Sequence, residues 1–291
     1  MGMTVGIIGQ GFVGTAICEG LKGFYQVLTY DLVQEKCNST LENVCNESDV
    51  VFVCVPTPMH KNGKCDTRIL EKAIDDAYNV VKKSKRTPVH SDFLNKMNQR
   101  TTFVIKSTVP PGTTSRLAEK NKGIDICFRP EFLTEANSIE DFRNQSRIII
   151  GGTGAKKVKQ MFRKAFPEIP IIVTKSKTAE MVKYFTNCFL ATKVTFANQM
   201  YAICNNNDID YDKVSEYALY DDRIGKSHLA VPGPDGDMGF GGHCFPKDLS
   251  AMIYYGDDAG TGFLQAVEFY NNDVRTNRDW ETMKGRAVSD D

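Results

Sequence analysis

Met3-Thr4-Val5-Gly6-Ile7-Ile8-Gly9-Gln10-Gly11-Phe12-Val13-Gly14 runs a short apolar segment straight into Gly-x-Gly-x-x-Gly. Thr15-Ala16-Ile17-Cys18-Glu19-Gly20-Leu21 follows with helical spacing, and a second apolar run, Gln26-Val27-Leu28-Thr29-Tyr30, ends on Asp31. A glycine triplet alone is weak evidence. Strand, triplet, helix, strand and an acid about 20 residues on make the dinucleotide fingerprint in its required setting. Gly9 permits the tight turn, Gly11 lets the backbone approach a pyrophosphate, and Gly14 lets the helix pack on the strand. The N–H groups at the start of that helix, at Phe12 and Val13, suit phosphate oxygens. Asp31 would hold the adenosine ribose hydroxyls and repel a 2′-phosphate, which favours NAD over NADP. The same pattern without a ligand is an ordinary βαβ turn.

Working outward, strands are expected over 50–55, 102–105, 147–150 and 171–173, and helices over 67–82, 114–120 and 156–165. Such alternation implies an α/β fold with a Rossmann-type, doubly wound parallel sheet. The polar stretch 83–100, which carries Pro88, reads as a surface insertion. From Ser176 the character changes to long helices, the first over 178–204. A loop rich in Gly, Pro and Asp follows at 231–238, and a last helix over 262–284 places Phe263, Val267, Tyr270 and Val274 on one face. The expected division is a dinucleotide-binding domain at 1–175 and an all-helical domain at 176–291.

Composition fits an enzyme of the cytosol. Lys+Arg and Asp+Glu balance at 36 each over 291 residues, so no basic footprint argues for nucleic acid. Nine cysteines, an odd number without Cys-x-x-Cys pairs, suggest reduced thiols rather than a disulfide framework. There is no signal-peptide pattern and no apolar run long enough to cross a bilayer. The four histidines, His60, His90, His228 and His243, are scattered and make no metal-ligand spacing, so no metal is expected.

A second glycine-rich stretch, Gly239-Phe240-Gly241-Gly242-His243-Cys244-Phe245-Pro246-Lys247-Asp248, places one cysteine on a flexed loop with a lysine three residues on and an aspartate four on. Glycines let a backbone approach a ligand closely, and a nearby ammonium favours the thiolate, the reactive form of cysteine. The stretch reads as a covalent-catalysis loop, or as a turn around a buried thiol. Three further segments sit where strands should end, the side of a parallel sheet where ligands bind. These are Val53-Cys54-Val55-Pro56-Thr57-Pro58, Lys106-Ser107-Thr108-Val109-Pro110-Pro111-Gly112-Thr113 and Arg129-Pro130-Glu131-Phe132-Leu133-Thr134-Glu135. Cys54, inside its apolar run, belongs to the core. On the long helix, Lys183 and Asn187 stand four apart and share a face, which continues through Leu190 and Val194. Burying such a pair unpartnered costs several kcal/mol, so either a substrate oxygen meets them or the helix turns Lys183 to solvent.

Seven blocks in one order resemble the UDP-glucose/GDP-mannose dehydrogenase family from Thr4 to about residue 275. They are the glycine triplet with Asp31, Val55-Pro56-Thr57-Pro58, Lys106-Ser107-Thr108-Val109-Pro110, Pro130-Glu131-Phe132-Leu133, Lys183 with Asn187, Arg223-Ile224-Gly225, and Gly239–Asp248. The Arg-Ile-Gly and Phe-Gly-Gly-x-Cys blocks look most like UDP-sugar enzymes.

The resemblance implies a four-electron oxidation of a nucleotide-sugar C6 alcohol with two NAD⁺, UDP-glucose to UDP-glucuronate, through a Cys244 thiohemiacetal and thioester. It assigns oxyanion stabilisation to Lys183 with Asn187, proton handling and the hydrolytic water to Asp248 and Glu131, and positioning of that water to Thr108. Phe132, Leu133, Arg223, Phe240, Gly241 and Gly242 would grip the substrate. Thr57, Thr108, Lys36 and Glu135 would join Gly9, Gly11, Phe12, Val13, Gly14 and Asp31 around the cofactor. A homodimer through the central helix is implied as well.

Family members usually continue into a second Rossmann-like domain that would begin about where this chain ends, so a compact form is expected. Arg129 stands where the family often has a small or amide residue, and 231–238 looks like an altered substrate loop. Other readings remain: another nucleotide sugar (GDP-mannose or a UDP-N-acetyl sugar), or a non-catalytic, partner-dependent NAD-binding homologue. A β-hydroxyacid dehydrogenase shares the two-domain plan but has no need of the cysteine.

Overall fold

Among the described residues seven strands, β1 Thr4–Ile8, β2 Gln26–Tyr30, β3 Val50–Val53, β4 Thr102–Ile105, β5 Asp125–Phe128, β6 Ile148–Gly152 and β7 Ile171–Thr174, pair into one sheet in the order β2-β1-β3-β4-β5-β6-β7. The computed structural model describes residues 2–84 and 100–290. The order reverses between β1 and β3, which places the crevice of a doubly wound sheet at their C-terminal ends. All pairings are parallel except β5 with β6. β3 and β4 are buried at every position, as strands covered on both faces must be, which is why they read as continuous apolar runs.

This sheet belongs to the first of two units, Met1–Thr57 with Thr67–Lys183. Among the described residues its helices are α1 Phe12–Leu21, α2 Leu41–Glu47, α3 Arg68–Lys83, α4 Thr113–Lys120, α5 Ser138–Arg143 and α6 Ala155–Ala165. One buried cluster, including Val5, Ile7, Phe52, Phe142 and Phe162, fills one face of the sheet. Another, including Val51, Val53, Leu70, Ile74, Phe103 and Ile105, fills the opposite face. Alternate residues of each strand feed alternate clusters, as the pleat requires.

A 30-residue helix, α7 Ser176–Asn205, starts in the first unit and from Tyr184 belongs to the second, which comprises Pro58–Asp66 and Tyr184–Asp291. The second unit adds α8 Tyr211–Ala218, α9 Phe245–Tyr255 and α10 Gly262–Val274. Cys188, Ala191, Phe240, Leu249 and Val267 form one of its buried clusters, and Ala197, Cys204, Tyr211 and Val231 another. Its short segment 58–66 is tied to the chain's end: the Met59 N–H donates to the Ala287 C=O and the Ser289 N–H to the Met59 C=O, each 2.8 Å.

Several expected elements shift. The strand expected over 50–55 ends at Val53, because the chain leaves the ladder after the Cys54 N–H meets the Ile8 C=O, ahead of Pro56. The last helix stops at Val274 rather than continuing to 284. Arg275 takes an extended backbone, and its buried guanidinium is drawn to Asp235 and Asp237. Phe263 lies 67% exposed on that helix, whereas Val267 is buried. β5 has no counterpart among the expected strands, and nothing in its sequence announces the antiparallel pairing. Most of the insertion expected at 83–100, Pro88 and His90 included, lies outside the described residues.

Candidate active site

The glycine turn follows β1. Gly9 has φ +93°, and a Cβ there would stand 2.5 Å from the Cys54 C=O. A Cβ on Gly14 would collide with the Gly9 C=O, so helix and turn touch only because Gly14 lacks a side chain. Gly11 differs: its Cβ would meet nothing within 4 Å, and the residue is exposed. No packing reason for glycine exists at Gly11, and the space before it is open to a ligand. Gly11 is also the N-cap of α1 and, having no side chain, supplies no capping acceptor to the helix start. This arrangement fits a dinucleotide pyrophosphate. Asp31, just past β2, accepts from the Gln10 N–H (2.6 Å) and the Val33 N–H (2.9 Å). Lys36, on the following turn, and Glu135, on the loop after β5, are exposed. The Thr57 hydroxyl donates to the Thr108 C=O (2.7 Å), and the Ser107 hydroxyl to the Val55 C=O (2.5 Å), tying the loop after β3 to the loop after β4.

At the same sheet edge, Glu131 is gripped from several sides. Lys106 Nζ lies 2.6 Å from Glu131 Oε2, and the Arg129 guanidinium 3.6 Å from the same atom. Glu131 Oε1 accepts from the backbone N–H groups of Phe132 (2.8 Å) and Leu133 (3.2 Å). Burial pushes the Glu131 carboxyl up, but Lys106, Arg129 and these hydrogen bonds outweigh it and hold it below its ordinary range. Two cations therefore share one carboxylate. The imbalance falls on Lys106: burial, then Arg129, outweigh the pull of Glu131 and lower its pKa to about 7. Arg129 is further held against the rings of Phe162 (4.6 Å) and Phe142 (5.6 Å) and donates to the Gln145 side-chain oxygen. Cys54 is pushed up to about 12, chiefly by burial, which makes it an inert core thiol. Phe132 lies between cations, with Arg147 4.5 Å and Lys183 Nζ 5.6 Å from its ring centre. Lys183 is buried, so the helix does not turn it to solvent.

In the second unit, Cys244 is the half-buried N-cap of α9, with Pro246 in the first turn. The Asp248 N–H donates to the Cys244 C=O (2.9 Å). Asp248 is 1% exposed; its Oδ2 accepts from Asn187 Nδ2 (2.6 Å), and its Oδ1 pairs with Lys247 Nζ. Burial pushes Lys247 down, but Asp248 above all, with Cys65 and Cys244, more than compensates and raises it. A fixed ammonium thus stands within the field of the cysteine. Phe240 is buried, stacked edge-on against Phe245 at 6.0 Å, while Gly241 and Gly242 are half-buried. Arg223 is drawn into its own turn: its Nε and Nη2 donate to the Asp221 carboxylate (2.9 and 2.5 Å), and its side chain is 88% exposed. Among the described residues no cluster of His, Cys, Asp and Glu could hold a metal, and no helix is long and apolar enough to cross a membrane.

Residues 31–169 match the NAD-binding domain, and residues 177–273 the central domain, of the UDP-glucose/GDP-mannose dehydrogenase family. The chain belongs to that family. That match to an NAD-binding domain begins at Asp31, just past the glycine turn, and NAD is the cofactor it supports. UDP-glucose 6-dehydrogenase TuaD of Bacillus subtilis is 33% identical over 258 residues, 83% of this chain and 51% of that protein. The chain spans about half the length of the curated dehydrogenases it matches. Among solved structures, a UDP-glucose dehydrogenase from Pyrobaculum islandicum superposes with TM-score 0.76 at 28% identity, covering 94% of this chain and 68% of that one. UDP-D-ManNAc dehydrogenase from Pyrococcus horikoshii, at TM-score 0.73 and 21% identity over 94% and 69%, shares the fold.

The residue that sequence reasoning passed over is Lys106. It was legible as part of a block but received no role. Its signal was a lysine ending the apolar strand Thr102-Phe103-Val104-Ile105, a position that demands a buried counter-charge.

Proposed function

We propose that this chain carries the cofactor-binding and catalytic parts of an NAD-dependent nucleotide-sugar 6-dehydrogenase, and that UDP-glucose is its substrate, taken to UDP-glucuronate. The observation that carries this is Cys244 at the head of α9, with Asp248 one turn on and itself held by Asn187 and Lys247. A simple alcohol–ketone oxidation has no use for that thiol. NAD⁺ would accept one hydride from the sugar C6 at each of two oxidation steps, the accompanying protons passing to solvent.

Between those steps the Cys244 sulfur adds to the C6 aldehyde, forming a C–S bond while the carbonyl oxygen takes a proton. After the second oxidation the carbon is held as a thioester. Water then adds, the C–S bond breaks, and the uronic acid leaves while Cys244 recovers its thiol. Splitting one hard step into covalent stages is what a nucleophile provides. In this reading Lys183 and Asn187 steady oxygen charge at C6, and Asp248 and Glu131 direct the water and protons, with Thr108 orienting it. Glu131, held as a carboxylate by its two cations, suits hydrogen-bond acceptance rather than proton donation. Phe132, Leu133, Phe240, Gly241 and Gly242 line the sugar, and Arg223 would leave Asp221 for the nucleotide end. Lys36, Thr57 and Glu135 belong to the cofactor's riboses and nicotinamide. A domain division at 175/176, a cytosolic setting for the nine reduced thiols and a homodimer through α7 complete the proposal.

Incubating the chain with NAD⁺ and, in turn, UDP-glucose, GDP-mannose and UDP-N-acetyl sugars tests it. Two NADH per UDP-glucose consumed, lost in Cys244→Ser, is the expected result. Two NADH from a different sugar would move the substrate within the family. NAD binding with no turnover on any sugar would favour a partner-dependent homologue.

A further inference from the structure

The loop that delivers Cys244 to α9 has its backbone held by side chains. The Gly239 N–H donates to Asn198 Oδ1 (3.0 Å) and the Phe240 N–H to Asn271 Oδ1 (2.7 Å), while Asn271 Nδ2 donates back to the Phe240 C=O (3.0 Å). Arg275 Nη1 donates to the Met238 C=O (3.3 Å), and the Gly242 N–H reaches both Asp279 oxygens (3.0 and 3.2 Å). Asn198, Asn271 and Arg275 are 4%, 2% and 5% exposed. Arg275 is itself clamped, with Nη2 2.5 Å from Asp235, Nε 3.5 Å from Asp237 and Nη2 4.0 Å from Asp279.

The glycines make room for this clamp. A Cβ on Gly239 would collide with the Asn271 amide, and one on Gly241 with the Arg275 guanidinium, with Asp279 Oδ1 only 2.6 Å away. A Cβ on Gly242 would meet nothing. Two of the three glycines therefore answer to polar groups behind the loop, and one faces open space.

We propose that Asn271, Arg275 and Asp279 are positioning residues for the reaction, holding the Met238–Gly242 backbone so that the Cys244 sulfur is fixed for attack. This rests on the dehydrogenase reading above. A loop that needed only stability would be served by apolar packing, since buried polar and charged groups are costly unless fully satisfied. Here the hydrogen bonds to Met238, Gly239, Phe240 and Gly242 all fix backbone within six residues of the nucleophile, which is where sub-ångström placement governs rate.

The test compares Asn271→Ala, Asp279→Ala and Asp279→Asn in the full chain by three readouts. These are amide hydrogen exchange over 238–244, peptide-mapped iodoacetamide alkylation of Cys244, and kcat with KM. The expected result for either alanine variant is exchange at Phe240 or Gly242 faster by roughly tenfold or more and an altered Cys244 alkylation rate. With these come a kcat lower by roughly 10–100-fold and a KM for NAD⁺ within about twofold. Asp279→Asn, which keeps an acceptor for the Gly242 N–H, should recover most of the loss. Unchanged loop exchange and alkylation in both alanine variants would overturn the proposal. So would faster exchange spread evenly through α7 and α10, which marks general destabilisation. If the unmodified chain oxidises no nucleotide sugar, the dehydrogenase reading fails, and exchange and alkylation still decide whether the clamp exists.

Discussion

Lys106 should make the stability of this protein rise with alkaline pH. Its ammonium is buried with two charged neighbours, one attractive and one repulsive, and its pKa falls from 10.5 to about 7. Between those values the unfolded chain binds a proton that the native state has released, so unfolding becomes harder as pH rises. The slope approaches 2.303RT, about 1.4 kcal/mol per pH unit. Below about pH 7 both states hold the proton and the slope vanishes. The whole shift corresponds to about 5 kcal/mol as an order of magnitude, of which about 2 should be visible between pH 7 and 8.5. Lys106→Met removes the titrating group and leaves Arg129 to balance Glu131 one to one. Urea unfolding of both proteins at pH 6.5, 7.5 and 8.5 gives the comparison: the unmodified chain should gain on the variant by about 2 kcal/mol across that range. Glu131→Gln, which strands the Arg129 charge and drives Lys106 to give up its proton, should cost roughly 3–5 kcal/mol at neutral pH, more than Lys106→Met. Parallel pH–stability curves for the unmodified and Lys106→Met proteins would refute the charge accounting.

The glycine turn separates packing from binding. Gly14→Ala drives a methyl into the Gly9 C=O and should lower stability by about 1–3 kcal/mol. Gly11→Ala, on an ordinary backbone with open space before it, should leave stability within about 0.5 kcal/mol yet weaken NAD⁺ binding by calorimetry; undiminished affinity would count against a pyrophosphate at that turn. On α7, Phe185 (71% exposed), Phe189 (57%) and Phe196 (59%) stand at helical spacing, the first two stacked at 6.4 Å. A solvated aromatic stripe of this kind suits a second copy of the chain. Light scattering should report a dimer, and Phe185→Glu with Phe189→Glu a monomer; an unmodified chain that is already monomeric would dispose of the interface.

The parts of the fold written in local patterns were legible. β1, the triplet and α1 follow from glycine sterics and from apolar runs that had to be covered on both faces. β4 agrees at both ends because Thr102–Ile105 is continuously buried. β5 escaped notice: Asp125-Ile126-Cys127-Phe128 is four residues long, and its place is settled by β4 beside it rather than by its own composition. Its antiparallel neighbour β6 is likewise a matter of connection. α10 ended early for a reason lodged some 40 residues upstream, in the carboxylates of the 231–238 loop that capture Arg275. At the site, sequence supplied the chemical groups but not their partners. Arg129 looked like a mild departure, yet after burial its charge does most to unbalance the Lys106–Glu131 pair. Gly241 looked like a surface for substrate, and its steric constraint comes from Arg275 and Asp279 behind it.

Asp31 carries one more implication. Its two oxygens are tethered to the Gln10 and Val33 N–H groups, so the carboxylate cannot swing aside. Each oxygen keeps a second lone pair, and a ribose diol can be accepted without breaking either tether. An incoming 2′-phosphate, by contrast, would meet a negative charge with no route of retreat. If Asp31 meets the ribose as proposed, swapping cofactor preference would require remaking the turn that holds the acid as well as replacing the acid.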